Sequence, residues 1–385
     1  MRRFFGIFLL LMLAAAPAAA TIDTSAEHGL LMDGESGQVL WQKDGFVPMP
    51  PASMSKLMTL ELLFQRLKDH RLKLHDTLPV SERAWRPPIS NLSVTLGSRV
   101  SIDDLIQGII VTSGNDACVV VAEGIGGTVE NFVNMMNARA KQLGLTQSHF
   151  VNPDGLPDPP GQLMSAYDLA KLSRHLIKDY PNYYHYFSQK SFVWNKINQP
   201  NRDQVLGTLA GADGLKTGHT DISGYGIIAS ASRKGERLIL VLNGLRYPQY
   251  HNDYFPNIKR AQEASRILDI AFREFRRYPV FAANAVAGHA PVEDGTSDSV
   301  AVTAGRPLAV TMQVDSHTAM KTVLHIQPNL HAPIAQGQKV GTLTVSAPDF
   351  PGMTVPVYAA QAVPRTGIMG RAWNWVTGMM THHKQ

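Results

Sequence analysis

The sequence predicts an α+β protein: a large domain of helices packed on a sheet, then a small all-β domain and a C-terminal amphipathic helix. Three observations carry this reading. From Thr21 to Tyr278 helical and strand periodicities mix. After Tyr278-Pro279 the texture changes to short β-type runs punctuated by Gly and Pro, with no strong helix. From Pro364 to Gln385 apolar residues recur at helical spacing, and no Asp or Glu follows Asp349. A chain of 385 residues suggests two domains.

Taken in order, Arg2 and Arg3 precede an apolar run from Phe4 to about Ala16, then Pro17 and Ala18-Ala19-Ala20. A basic start, a short apolar core and small residues at an A-x-A site read as a secretory signal cleaved after Ala20. A membrane anchor is the alternative, but the run is short for a span. The domain reading is therefore 1–20 signal, 21–278 large domain, 279–363 β domain and 364–385 tail. Cys118, the only cysteine, excludes an intrachain disulfide, and its apolar surroundings suit a small buried hydrophobe rather than a nucleophile. The net charge of +5 and pI near 9.2 fit work near anionic lipid or cell-wall polymer. No basic run interleaves with aromatics, which argues against nucleic acid.

In the large domain, Gly29–Gly34 and Gln38–Gln42 look like a hairpin around Gly34-Glu35-Ser36-Gly37. Met54 to about His70 reads as a helix with Leu57, Leu60, Leu63, Phe64 and Leu67 on one face. Further helices are expected over Ile102–Ile110, Asp116–Ile125, Val129–Leu143 and Pro256–Arg277. Gly224–Ala231 and Arg237–Leu245 read as strands joined at Lys234-Gly235. In the β domain the runs begin at Val300, Leu308, Thr322, Val340 and Thr354, and a sandwich or barrel is expected. His317, His325 and His331 are too scattered for a metal site. The tail places Ile368, Met369, Ala372, Trp373, Val376, Met379 and Met380 on one side, the pattern of a basic helix lying in a membrane interface.

Three short motifs carry chemistry. In Ser53-Met54-Ser55-Lys56, two groups three apart share a helical face, so the Lys56 amine can reach the Ser53 hydroxyl. At a helix start Ser53 also feels the positive end of the dipole. Lys56 must be neutral to act as a base, and burial beside cations such as Lys216 lowers its pKa. A plain serine N-cap explains the local features equally well. Ser113-Gly114-Asn115 lies between two helical segments, where a hydroxyl and an amide can bond a lysine and a carbonyl, or merely form a turn and a cap. Lys216-Thr217-Gly218 follows the turn Gly211-Ala212-Asp213-Gly214 and opens a strand. A cation, a hydroxyl and a bare Gly on an edge strand suit an extended peptide ending in a carboxylate.

The longer strings Pro51-Ala-Ser-Met-Ser-Lys-Leu-Met-Thr, Ser113-Gly-Asn-Asp-Ala-Cys and Lys216-Thr-Gly-His-Thr-Asp resemble the low-molecular-mass penicillin-binding proteins, the serine D-Ala-D-Ala carboxypeptidases of the penicillin-binding protein 5/6 type. The resemblance covers essentially the whole mature chain and implies a β-lactamase/transpeptidase-like large domain. It implies Ser53 as acyl-enzyme, Lys56 as proton acceptor and Ser113 as relay. Asn115 and Lys216 would bind and polarise, and Thr217 of the Lys-Thr-Gly218 strand would contact the substrate carboxylate. The N–H groups of Ser53 and His219 would form the oxyanion hole. Arg202 and Arg246 are candidates for steering the carboxylate. Implied partners are a peptidoglycan pentapeptide ending in D-Ala-D-Ala, β-lactams as covalent inhibitors, and an anionic membrane surface under residues 364–385; no cofactor or metal is implied. The expected setting is the periplasm, at the outer face of the cytoplasmic membrane. A D,D-endopeptidase has the same nucleophile. A class A β-lactamase needs a deacylating glutamate, and none lies between Glu130 and Glu236. A silent wall-binding protein fits poorly with four intact motif residues, and no G-x-S-x-G elbow supports a Ser-His-Asp hydrolase.

Overall fold

The computed structural model describes residues 22–86, 89–348 and 350–367. The expected signal of residues 1–20, and the tail helix from residue 368 on, lie outside the described residues. Two compact units divide the chain: residues 23–280 with 309–311, and residues 281–308 with those from 312 on.

Strands β1 (His28–Asp33) and β2 (Val39–Lys43) form the expected hairpin, closed by Gly37 N–H donating to the Asp33 carbonyl at 2.8 Å. Helix α1 runs Lys56–Lys68, directly after a 3₁₀ segment Ala52–Ser55. Helix α2 (Ile102–Gln107) is capped by the Ser101 hydroxyl and passes into a π turn, Gly108–Thr112. Helices α3 (Asn115–Gly126) and α4 (Val129–Leu143) follow; Thr128 caps the start of α4 and a left-handed Gly144 ends it. Helix α5 (Ala166–Asp179) went unread in the sequence despite its Ser165 cap and the Leu169–Leu172–Leu176 spacing. Then come strands β3 (Ala212–Thr220), β4 (Gly224–Arg233) and β5 (Glu236–Leu245), and helix α6 (Tyr254–Glu274).

Among the described residues these strands form a five-stranded antiparallel sheet in the order β2-β1-β5-β4-β3. The inner strands β4 and β5 are buried nearly end to end, which is why they read as continuous apolar runs rather than alternating ones. α5 packs on β1 and β5, and α6 on β4 and β5, while the 3₁₀ segment lies against β3.

Three boundaries differ from the sequence reading. The helix from Ile102 gives way to a π turn at Gly108, where the Thr112 hydroxyl donates to the Gly108 carbonyl. Residues 212–214 belong to β3, with a register shift at Ala212/Gly214, instead of forming a turn. α6 ends at Glu274, because Phe275 turns extended and Phe275–Phe281 is a strand.

In the second unit, strands β6 (Val286–Pro291), β7 (Ser299–Thr303), β8 (Lys321–Ile326), β9 (Lys339–Ala347) and β10 (Phe350–Ala359) form an antiparallel sheet in the order β6-β7-β10-β9-β8. Val340, Leu343, Val345, Val355, Val357 and Ala359 are buried. The run beginning at Leu308 is a strand, and β6 was not read from the sequence.

Candidate active site

The 3₁₀ segment sets the site. Pro50-Pro51 ends the preceding chain and Ala52 takes a left-handed φ of 47°. Ser53 caps nothing: no side-chain cap bond forms at either helix start, and its hydroxyl is left half-buried beside Lys56. The plain N-cap alternative therefore fails on geometry. Gly155, at φ +84°, lets the Asp154-Gly155 chain lie on this segment; a Cβ there would strike the Ala52 carbonyl.

Lys56, the first residue of α1, is fully buried. Its Nζ lies 2.7 Å from Ser53 Oγ, 2.7 Å from Asn115 Oδ1 and 2.5 Å from the Asp154 carbonyl. All three partners are neutral. As an ammonium, Lys56 donates to all three; as an amine it donates to Asn115 and Asp154 and turns its lone pair to the Ser53 hydroxyl. Asn115 Nδ2 donates to the Ile89 carbonyl at 2.8 Å, which sets the Oδ1 towards Lys56. The next residue, Asp116, accepts from the Leu92, Val94 and Ala117 N–H groups and ties the 92–94 loop to the start of α3.

Ser113 sits in the left-handed region, φ 59° and ψ 34°, at the end of the π turn. For a residue with a Cβ that conformation costs about 1–2 kcal/mol. It delivers the hydroxyl to Lys216 Nζ at 2.9 Å. Lys216 is 1% exposed on β3, an edge strand as expected. Thr217 beside it is also buried. A Cβ on Gly218 would lie 3.0–3.2 Å from Pro51 O, Ala52 Cβ and Met54 N, so the bare residue lets β3 approach the Ser53 turn.

Burial is the main cause that holds Lys56 below the usual lysine range, and Arg202 acts in the same direction against Cys118, Asp154 and Asp116. Burial first, and then the neighbouring Lys56, hold Lys216 far below its ordinary value. Burial pushes the Cys118 thiol up to about 12, so it stays protonated.

The structure forms two hydrogen-bonded groups, Ser53–Lys56–Asn115 and Ser113–Lys216, with the two lysines in electrostatic reach of one another. Arg202 donates to Ser90 Oγ at 2.8 Å and acts electrostatically on both lysines. Arg246 is engaged elsewhere: its Nε pairs with Glu27 at 2.9 Å, and its Nη atoms donate to the Asp221 and Ile222 carbonyls. The His219 ring stacks on Tyr225 at 3.7 Å, and burial lowers its pKa. With Arg246, Tyr247 and Tyr250 it lines a cavity of about 440 Å³.

Two participants escaped the sequence reading. Asp154 enters through its backbone carbonyl, which no motif encodes. Arg260 is a cation in the apolar stripe of α6, between Pro256 and Ala264, and that misplacement was its signal. Among the described residues no group of three or more His, Cys, Asp or Glu is placed to hold a metal.

A family model described as D-alanyl-D-alanine carboxypeptidase matches residues 14–245, and one described as penicillin-binding protein 5, C-terminal domain, matches residues 275–365. The chain is 34% identical over 381 residues to D-alanyl-D-alanine carboxypeptidase DacC of Escherichia coli (strain K12), covering 96% of this chain and 92% of that one. Penicillin-binding protein 5 from Haemophilus influenzae superposes with a TM-score of 0.79 at 33% identity, over 89% of this chain and 98% of the other. Penicillin-binding protein D2 from Listeria monocytogenes in its ampicillin-bound form superposes with a TM-score of 0.58 at 28% identity, over 66% of this chain and 99% of the other. Matched along nearly its whole length in sequence and in fold, the chain belongs to the D-alanyl-D-alanine carboxypeptidase family of penicillin-binding proteins.

Proposed function

We propose that this enzyme, a serine-type D-alanyl-D-alanine carboxypeptidase, removes the terminal D-Ala from peptidoglycan pentapeptides through an ester on Ser53. One observation carries the assignment of roles: the Lys56 amine, buried among neutral acceptors, lies 2.7 Å from Ser53 Oγ. Neutral Lys56 takes the Ser53 proton as Oγ attacks the penultimate D-Ala carbonyl. The N–H groups of Ser53 and His219 hold the resulting oxyanion, each donor worth about 3 kcal/mol in comparable acyl transfers. Ser113, bonded to Lys216, relays a proton to the leaving D-Ala nitrogen. Asn115 holds Lys56 and the substrate amide, while Lys216 and Thr217, with Arg202 beside them, receive the terminal carboxylate. Neutral Lys56 then takes a proton from a water whose oxygen attacks the ester carbonyl, and passes that proton to Ser53 Oγ as the shortened peptide leaves. A β-lactam follows the first half of this path but keeps its leaving group tethered, so the ester persists; the ampicillin-bound relative supports that reading. Arg246, held by Glu27, is not given a role in carboxylate binding.

The test is D-alanine release from a peptide ending in D-Ala-D-Ala by the parent and by Ser53→Ala. Release by the parent alone is expected. Cleavage restricted to a cross-linked dimer would turn the reading to a D,D-endopeptidase. We place the enzyme outside the cytoplasmic membrane, held to its surface by residues 364–385, whose basic and Trp-bearing pattern supports interfacial binding. Among the described residues no helix is long and apolar enough to cross a membrane. Deleting 364–385 is expected to abolish co-sedimentation with anionic vesicles; undiminished sedimentation would refute the anchor.

A further inference from the structure

Arg260 is 2% exposed, and its hydrogen bonds are two: Nη1 to the Gly218 carbonyl at 3.1 Å and Nη2 to Asn257 Oδ1 at 2.8 Å. Its Nε is buried without a hydrogen-bond partner, and the buried Asp203 favours its charge electrostatically without a direct bond. The face of the Tyr225 ring lies 5.8 Å from the guanidinium carbon. Burial lowers its pKa to about 10, so it keeps its charge at neutral pH. A buried, incompletely satisfied cation is costly where an apolar side chain would pack as well.

The carbonyl it grips belongs to the peptide whose N–H is that of His219. Thr220 and Gly224 are the register pair that closes the loop 221–223 between β3 and β4, and the far end of the ladder is phased by the Ser232 N–H donating to the Gly211 carbonyl at 2.9 Å, beyond the register shift at Ala212/Gly214. By alternation the main-chain groups of Gly218, paired with Gly226, face β4, and those of Thr217 and His219 face the free edge of β3. The C=O and N–H of one trans peptide point in opposite directions. Holding the Gly218 oxygen on the inner side therefore holds the His219 N–H on the outer side. Gly218 itself lies against Pro51, Ala52 and Met54, the turn that presents Ser53. A cation on the oxygen of a peptide also makes its N–H a stronger donor.

We propose that Arg260 is a positioning residue for the oxyanion hole: it orients and polarises the Gly218–His219 peptide so that the His219 N–H meets the carbonyl oxygen of the acyl group on Ser53. The proposal rests on Ser53 as the nucleophile. The hydrogen bonds of Arg260 go to Gly218 and Asn257 and not to Ser53, so rate alone does not test it; the infrared stretch of the acyl-enzyme ester carbonyl reads the strength of the hole directly. Full-length parent, Arg260→Met and Arg260→Lys are acylated with benzylpenicillin, and acylation rate, ester band and thermal midpoint are recorded. Arg260→Met is expected to acylate about tenfold more slowly, a fraction of what losing a whole donor costs, with the ester band moved to higher wavenumber. Arg260→Lys, which keeps the charge but not the fork, is expected to fall between. An ester band at the parental position in Arg260→Met overturns the proposal, whether the rate is parental or falls with the thermal midpoint as a merely structural role would have it. Should Arg260→Met not fold, the band of Arg260→Lys is read in the same way. A parent without any ester band overturns the Ser53 reading, and this proposal with it.

Discussion

Helix α1 buries two ionisable side chains, Lys56 in its first turn and Glu61 in its second, and treats them in opposite ways. Lys56 is given three neutral acceptors and no carboxylate in hydrogen-bond contact. Burial then disfavours its charge, and the amine is left reactive. Glu61 receives the Arg139 guanidinium at 2.8 Å, the Tyr180 hydroxyl at 3.0 Å and His175 Nε2 at 3.3 Å. Burial opposes its charge too, but the bonds from His175 and Arg139 prevail and hold the carboxyl below its usual range. Equal burial thus leaves an amine of lowered pKa in the first turn of the helix and a structural ion pair in the second. The choice of partners decides which.

Experiments that exchange these outcomes break the comparison. The largest effect is expected from Lys56→Ala, which should lower the acylation rate by about 10³-fold, as expected for loss of a general base, with circular dichroism unchanged. Acylation at the parental rate would remove Lys56 from its role. Arg139→Met should do the reverse, leaving Glu61 buried with its main cation gone. A cost of about 3 kcal/mol in thermal or denaturant unfolding is expected, with the acylation rate of the folded protein retained. The sign with pH follows: a carboxyl whose folded pKa lies below its ordinary value stabilises above that value, and the stabilisation fades as pH falls through the folded pKa. The gap between parent and Arg139→Met should therefore narrow on acidification. Tyr180→Phe, which removes one hydrogen bond to Glu61, should cost about 1 kcal/mol. The finest test is Arg202→Gln. Removing a cation that lowers the Lys56 pKa should raise it, so the ascending acid limb of the acylation profile moves to higher pH. A limb that stays in place or moves to lower pH contradicts the electrostatic account.

Much of this was legible in the chain because the signals are local. The spacing of Ser53 and Lys56 on one face, the Ser-Gly-Asn segment between helices, and an edge strand at Lys216 are short-range patterns, and each is found where it was read. The Ser53 cap alternative could not be settled from sequence, since serine fills both roles; the 3₁₀ geometry settled it by leaving the hydroxyl uncapped. Arg246 and Arg202 could not be ranked, because their difference lies in Glu27, which is far away in the chain. The backbone oxygen of Asp154 was invisible, as any residue type offers one.

Residue order alone determined the α+β alternation, the all-β texture beyond Tyr278 and the candidate nucleophile with its amine, because periodicity and i,i+3 spacing are properties of neighbouring residues. Only the tertiary structure decided that Lys56 hydrogen-bonds to neutral acceptors and not to a carboxylate, that Ser113 bends into a left-handed conformation to meet Lys216, and that Arg260 reaches the Gly218 carbonyl. Each depends on groups tens or hundreds of residues apart and on the exclusion of water between them. Burial and its electrostatic consequences arise only when the chain has closed.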